Sequence, residues 1–291
     1  MRRWSLAVLS FIVMSCEKNI NFKLDAAEPL LVVDAQIENE KEPTVVLTKS
    51  LSYFGKISPD ILASTFVHNA EVFMSNGVVT HKLKEYPVSL APGFTAFYYS
   101  LDPSDPATAF VGQVNRRYNL RIVSENKEYS STILIPGFNA LLDSVWTKPA
   151  PQNPDSNKRI LIIRGTDPPG RGNYVRYFTK VNSDPFLPGE NSVFDDQVID
   201  GTTFEVQLFR GIDRNDPPSA DNNFFNKGDT ITMKFCNIEK PAYAFWSTWE
   251  FAFQGIGNPF AQPNKVIGNI SNGALGVFSG YAARYKTIIA K

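Results

Sequence analysis

From residue 29 to the end of the chain, apolar and polar residues alternate, so the hydrophobic pattern has a period of two. The alternating segments are rich in β-branched and aromatic residues, and Gly, Pro, Asn and Asp separate them. This pattern is typical of antiparallel sheets that bury one face. We therefore expect a mainly β protein, and 291 residues are enough for two domains that each bury a core.

The first predicted domain covers residues 30–136. Its strands are predicted at 30–37, 43–50, 69–75, 78–84, 94–101, 117–124 and 127–135. Seven strands in a segment of this length indicate an immunoglobulin-like β-sandwich. Asn76-Gly77 predicts a tight hairpin because both residues tolerate positive φ, and a second hairpin is expected near Asn126. Ser58 followed by proline predicts a short helix over 59–66.

Pro136-Gly137 ends the last of these strands, and we place the domain boundary at 136–139. The second predicted domain, 137–291, is another antiparallel β domain. Its strands are predicted at 141–147, 159–166, 173–182, 193–199, 203–210, 229–237 and 276–289. The unbroken apolar run 160–163 predicts a strand that is covered on both faces.

One aromatic-rich helix is predicted over 241–254, with Pro241 at its first position and Gly255 at its end. Trp246 and Trp249 share one face, and the opposite face is apolar too. The helix is therefore either clamped between the sheet and loops, which we favour, or it offers aromatic side chains to a partner.

Four aromatic residues are candidates for contact with a ligand or partner. They are Trp246, Trp249, Tyr174 and Phe178. Tyr174 and Phe178 share a strand face with Arg176 and Lys180, an arrangement that could stack on a sugar or another planar ligand. Arg and Lys stems lying over buried aromatic rings explain the same pattern.

The sequence offers no catalytic constellation, so we predict a protein that is not an enzyme and has no catalytic residues, metal site or cofactor. Only two histidines are present. His81 shares a strand face with Val79 and Leu83, which favours a half-buried structural imidazole, and His68 has no local ligand partner. HExxH, paired CxxC and GxSxG motifs are absent from the sequence. Cys236 has no neighbouring base, which favours a small buried side chain over a nucleophile.

Two acidic segments leave alternatives open. Asp195 and Asp196 are adjacent, and neighbouring strand residues point to opposite faces, so a paired-carboxylate glycosidase site is disfavoured. The loop from Asp213 to Asp221 is rich in oxygen ligands that could hold calcium. Its spacing does not match an EF-hand, and Asp, Asn, Pro and Ser are also ordinary turn residues, so a solvated loop is favoured.

Residues 1–15 are predicted to be a signal peptide, with two arginines before a short apolar segment. A small residue and Cys16 follow at once, in an order that resembles the bacterial lipoprotein signal, although Val13 stands where leucine is usual. The resemblance implies that Cys16 is acylated and that 16–29 is a tether. Each buried CH₂ contributes about 0.8 kcal/mol, so two or three acyl chains would hold the protein at a membrane. Charged residues are balanced, 29 basic against 29 acidic, which argues against a nucleic-acid partner.

Several segments carry a resemblance to one family. They are Cys16-Glu17-Lys18, residues 28–33, 37–39 and 46–50, Gly228-Asp229-Thr230, residues 243–246, 258–260 and 269–276. Together they resemble the Bacteroidota lipoprotein family catalogued as domain of unknown function 4249. Members often look like accessory proteins encoded beside TonB-dependent outer-membrane receptors, and the family has no catalytic residues to transfer.

The resemblance implies a role in the cell envelope. Together with Cys16, the missing catalytic set and the excess of aromatic residues without an excess of charge, it leads us to expect a non-enzymatic outer-membrane lipoprotein, facing the periplasm or the cell surface, that binds a ligand or a TonB-dependent transporter. One alternative is a carbohydrate-binding protein or a secreted enzyme that acts on glycans, because of the aromatic faces and scattered carboxylates. Another is a structural surface or adhesion protein, a role that immunoglobulin-like sandwiches readily serve.

Overall fold

The computed structural model describes residues 28–51, 58–151, 153–216, 223–258, 260, 262 and 264–291. Within these ranges the protein is mainly β, as the alternating pattern predicts, and has two helices, α1 (Pro59–Ser64) and α2 (Lys240–Gln254). The strands are β1 (Leu31–Glu38), β2 (Thr44–Lys49), β3 (Glu71–Ser75), β4 (Thr80–Ala91), β5 (Phe94–Ser100), β6 (Arg116–Ser124), β7 (Lys127–Ile135), β8 (Leu141–Pro149), β9 (Lys158–Thr166), β10 (Tyr174–Val181), β11 (Leu187–Asp195), β12 (Thr203–Leu208), β13 (Phe225–Asn226), β14 (Thr230–Ile238) and β15 (Leu275–Ile289).

Eleven of the strands form one large sheet. Their order is β11-β10-β14-β15-β1-β2-β5-β4-β3-β6-β7. In the second sheet, β9 lies between β8 on one edge and β12 and β13 on the other. None of the helices in the described ranges is long and apolar enough to cross a membrane.

Two hydrophobic cores hold these sheets together. The first contains buried side chains from β1 to β7 and from β15. The second joins β9 and β12 to β10 and β14. Leu161 and Ile163 point into this second core, whereas Ile160 and Ile162 pack with Trp146 on the opposite face. The strand that contains the apolar run is therefore covered on both faces, as predicted.

The predicted hairpins and the short helix are present. The side chain of Asn76 accepts hydrogen bonds from the backbone of residues 78 and 79, which closes the turn between β3 and β4. Glu125 and Asn126 both have positive φ in the turn between β6 and β7. Ser58 caps α1 by accepting from the Ile61 backbone N–H at 3.3 Å.

The prediction of a strand at 193–199 was wrong in its position. β11 ends at Asp195, because the Asp196 carbonyl accepts the backbone N–H groups of Ile199 and Asp200 and starts a turn. The strand begins earlier, at Leu187, although Pro188 is an unfavourable residue within a sheet. β11 is an edge strand, where proline costs no ladder hydrogen bond on the open side.

The last strand, β15, belongs to both halves of the chain. Residues 275–281 pair in parallel with β1, and residues 282–289 pair antiparallel with β14. Residues 136–139 connect the halves along the sequence, while β15 connects them through hydrogen bonds. The division into domains at 136/137 and the immunoglobulin-like arrangement of 30–136 stay predictions.

A buried charge cluster lies where β1, β14 and β15 meet. Glu38, at the end of β1, is only 7% exposed and binds the ammonium group of Lys234. Lys41 lies 2.7 Å from the same carboxylate, and the Tyr285 hydroxyl donates to it. Burial acts to raise the pKa of Glu38, but the charge and hydrogen bonds of Lys234, with the hydrogen bonds of Lys41 and Tyr285, hold that pKa below its usual value. The carboxylate is therefore ionised and joins the two halves.

Gly276 is required by the close approach of β15 to β1. Its φ is +102°, and a Cβ atom at this position would lie 1.9 Å from the Val33 carbonyl oxygen. We expect Gly276→Ala to lower the free energy of unfolding by about 1–2 kcal/mol through the unfavourable φ. The clash should cost about 1–3 kcal/mol more. Urea denaturation followed by fluorescence measures the total.

Gly273→Ala is the matched control, because Gly273 also has positive φ, +75°, but has open space where a Cβ atom would lie. We expect this variant to lose only the unfolding free energy that the unfavourable φ costs, without the further loss caused by the clash. Equal destabilisation of the two variants would show that the contact between β1 and β15 is not as tight as described.

Candidate functional site

Helix α2 lies across the face formed by β10, β11 and β15. Its side chains and those of β10 form an aromatic layer, which consists of Tyr174, Phe178, Tyr243, Trp246 and Trp249. Tyr174 packs on Tyr243 with 4.9 Å between ring centres, and Trp246 meets Trp249 edge to face at 5.9 Å. The structure thus brings the four candidate contact residues into one layer, and each of them is partly buried.

Arg176 links the aromatic layer to the sheet. Its guanidinium carbon lies 3.4 Å from the centre of the Trp246 ring and 4.7 Å from that of Phe178. One terminal nitrogen donates to the Tyr281 hydroxyl at 2.7 Å, and Nε donates to Ser192 Oγ at 3.2 Å. Because Arg176 is only 3% exposed, these contacts replace solvation of its charge.

Glu250 completes this network from the helix. It is 3% exposed and accepts hydrogen bonds from the backbone N–H and the hydroxyl of Ser192. Arg214 lies 3.5 Å away and covers the Trp249 ring. Burial raises the pKa of Glu250, and the Ser192 hydrogen bonds and the charges of Arg176 and Arg214 oppose that rise.

This network is suited to holding α2 in place. The carboxylate of Glu250 is enclosed by Ser192, Arg176 and Arg214, so it has no open side toward a substrate. Sequence reasoning missed Glu250, although it is the only acidic residue within an aromatic helix. Trp246 and Trp249 are both partly exposed, so a ligand or partner could reach these two side chains and the segment that follows α2.

The two histidines have structural partners. His81 is fully buried, its Nδ1 lies 2.7 Å from Thr108 Oγ1, and its Nε2 accepts the backbone N–H of Asp102 at 2.8 Å. An accepting Nε2 requires the neutral ring with its proton on Nδ1. His68 Nδ1 lies 2.6 Å from the Glu85 carboxylate, and its ring meets the Phe97 ring edge to face, with 4.5 Å between ring centres. Both imidazoles therefore serve local packing.

The acidic candidates lie apart from one another. Asp195 accepts a hydrogen bond from the Tyr243 hydroxyl, whereas Asp196 accepts from the backbone of Gly172 and Asn173. The adjacent carboxylates thus have different partners. In the Asp213–Asp221 loop, Asp213 accepts from Asn215, and residues 217–222 lie outside the described residues. The preference for a solvated loop therefore stays a prediction.

The lipidation candidate Cys16, the signal peptide 1–15 and tether residues 16–27 also lie outside the described residues. Glu28 and Pro29, at the end of the predicted tether, line a cavity of about 340 Å³ with residues 272–274. Because β1 and β15 are parallel, both strands begin at this end of the molecule. Glu28 and Pro29, the last residues of the predicted tether, therefore lie where β15 starts.

Cys236 is fully buried between α2 and the sheet, and burial raises its pKa to about 12. If residues 1–16 are absent, it is the only thiol. We expect a chain that starts at residue 17 to react with a thiol reagent at pH 8 at least about a hundredfold more slowly than in urea, because neither thiolate nor access is available. Absorbance of the released thiol product measures the rate.

A Cys236→Ser variant is the control for non-specific reaction. Rapid labelling of the folded protein would contradict the buried position of the thiol.

Comparison with protein families agrees with the distributed resemblance. The family model described as a domain of unknown function (DUF4249) matches residues 17–287. This range includes most of the predicted tether, α2 and both sheets except for the last two residues of β15. Comparison with curated proteins gives no match. Because the family model covers most of the chain, the protein belongs to the DUF4249 family.

Proposed function

We propose that the protein is a non-enzymatic cell-envelope lipoprotein, held at the outer membrane by acyl chains on Cys16. In this proposal it is an accessory protein of a TonB-dependent transporter. It contacts the transporter, or the ligand that the transporter takes up, through the end of α2. The leaflet that it faces is left to experiment.

Exposed apolar residues at the end of α2 are the observation that carries the proposal. Phe251, Ile256 and Phe260 are 63%, 75% and 92% exposed and lie within ten residues of sequence. Large apolar side chains that cluster on a protein surface commonly mark interaction sites. Trp249 and Phe253, stacked at 5.4 Å between ring centres, lie on the other side of α2 from Phe251, where Arg214 covers both rings.

The chemistry of the described residues supports binding rather than catalysis. The Cys236 thiol is buried, His81 has both ring nitrogens engaged, and Glu250 is enclosed by its partners. A nucleophile or general base needs access to the substrate atom on which it acts. These three groups are therefore better suited to stabilising the fold.

A second candidate function, glycan binding, is favoured by a groove of about 290 Å³ beside the start of α2. It is lined by Tyr174, by polar residues such as Asn139, Asn237 and Glu239, and by the segment that connects the two halves. An aromatic ring beside amide and carboxylate groups suits a sugar, with the ring for stacking and the polar groups for hydroxyls. The groove is small, which makes this the second choice.

We also propose the immunoglobulin-like arrangement for β1 to β7. It is supported by the strand order, which runs β1-β2-β5-β4 and then β4-β3-β6-β7. The long strand β4 connects these two groups of strands, because its residues 80–83 pair with β3 and its residues 84–91 pair with β5. The orders β1-β2-β5-β4 and β3-β6-β7 are those of the two sheets, ABED and CFG, of a constant-type immunoglobulin sandwich, and the pairing of β4 with β3 is additional to that arrangement. Such a domain would also suit a structural adhesion protein.

Affinity purification tests the leading proposal. Tagged full-length protein, extracted with detergent from host membranes, should co-purify a TonB-dependent transporter. Changing both Ile256 and Phe260 to serine should reduce transporter recovery about fivefold or more, the effect of losing about 1 kcal/mol at an interface. Quantitative mass spectrometry measures the recovery.

Val198→Ser is the matched control, since Val198 is 93% exposed in the turn after β11 and should not matter. Cys16→Ala should leave the membrane fraction, because the acyl anchor is lost. Retention of Cys16→Ala in membranes would contradict the lipid anchor. Recovery without a transporter, together with binding on a glycan array, would favour the second candidate.

A further inference from the structure

Three aspartates from two loops meet between the sheets of the C-terminal half. Asp167 follows β9 directly, Asp196 follows β11 directly, and Asp200 lies in the turn before β12. One carboxylate oxygen from each lies within 4.8 Å of the others. The turn is fixed against β9 because the Asp167 backbone N–H donates to the Thr202 carbonyl at 3.0 Å. The loops therefore hold the three acids together.

Backbone donors orient two of the carboxylates. Oδ2 of Asp196 accepts the N–H groups of Gly172 and Asn173, each at 2.8 Å, and Oδ1 of Asp200 accepts the Gly170 N–H at 2.7 Å. Gly170 and Gly172 both have positive φ, which lets this short loop direct three N–H donors toward the acids. The loop thus positions one oxygen of each carboxylate.

The burial of the Asp167 carboxylate is less well compensated by hydrogen bonds than that of the other two. Its residue is 2% exposed, and Oδ2 has no hydrogen-bond partner among the described residues. A buried carboxylate oxygen without a partner is costly, and two further acids beside it add to the cost. Burial raises the pKa of Asp167, and the negative charges of Asp196 and Asp200 raise it as well, while hydrogen bonding from the Gly201 backbone and the Asn173 side chain only partly opposes the rise.

The described part of the chain supplies no cation to this cluster. None of its ion pairs includes Asp167, Asp196 or Asp200. Two of the three acids, Asp167 and Asp196, line a cavity of about 10 Å³ together with Asn173. A cavity of this size holds about one water-sized particle.

We propose that Asp167, Asp196 and Asp200 form a binding site for one divalent cation, and that the cation is Ca²⁺. Carboxylate oxygens within 4.8 Å of one another can reach one cation together. Mg²⁺ requires near-ideal octahedral geometry and usually keeps several water ligands, for which a cavity of about 10 Å³ has little room, whereas Ca²⁺ accepts irregular arrangements of protein oxygens. Three carboxylates are ligands of the type that Ca²⁺ prefers.

The bound ion would connect the two sheets of the C-terminal half. Asp167 is attached to β9 of the smaller sheet, and Asp196 is attached to β11 of the larger one. Binding to the folded state alone stabilises that state by mass action. The site does not depend on the proposed envelope function, because it is built from loops remote in sequence from Cys16 and from the end of α2.

Calorimetric titration and thermal unfolding test the site on purified protein stripped with EDTA. CaCl₂ at about a hundredfold excess over its Kd should raise Tm by about 5 °C. Asp200→Asn should weaken Ca²⁺ binding tenfold or more while keeping its Gly170 hydrogen bond, because the amide oxygen can still accept. Asp167→Asn should lose the Ca²⁺ response too, and in EDTA it should unfold at the same temperature as the unaltered protein or at a higher one.

Asp213→Asn is the matched control, since Asp213 lies in the other acidic loop and should leave the response unchanged. An unaltered protein that shows neither heat nor a Tm shift with CaCl₂ up to about 10 mM, far above the Kd range of protein calcium sites, would overturn the proposal. A response that persists in Asp200→Asn, or that disappears only in Asp213→Asn, would overturn it as well. An equal shift with MgCl₂ would contradict the choice of Ca²⁺.

Discussion

The rest of the structure depends on the pairing of β15 with both β1 and β14. The N-terminal part of β15 adds a parallel strand to β1, and its C-terminal part adds an antiparallel strand to β14. Phe278 thereby enters the first core, and Ile288 packs against the second. Since a strand edge without a partner leaves backbone groups unpaired, neither sheet segment is complete without this strand.

The same strand positions the features proposed to matter for function. Tyr281, at the point where β15 changes partner, accepts a hydrogen bond from Arg176, and Arg176 supports Trp246 of α2. Ser279 accepts from the Trp246 indole at 3.3 Å. The buried ion pair between Glu38 and Lys234 links the end of β1 to β14 on either side of β15. The helix whose end is exposed thus rests on the strand that joins the two halves.

The local sequence pattern predicts most helices and strands of this fold, because the alternation of apolar and polar residues and the position of turn residues depend only on neighbours a few positions away. It fails at β11, where Pro188-Gly189 suggests a break, and it gives no sign that β1 pairs with a strand more than 200 residues away. Trp246 and Trp249 are found from helical spacing, but Arg176 and Glu250 meet them only in three dimensions. The Asp167 cluster is missed for the same reason, although the two glycines after Asp167 are a usable signal of a tight loop.

Native-state hydrogen exchange at increasing urea concentrations tests the shared strand most directly. If β15 holds both halves, amides of residues 31–38, 230–238 and 275–289 should be among the last to exchange and should lose protection at the same urea concentration. Loss of protection in residues 31–135 at a clearly lower urea concentration than in 158–289 would contradict this account, because the halves would then unfold as separate units.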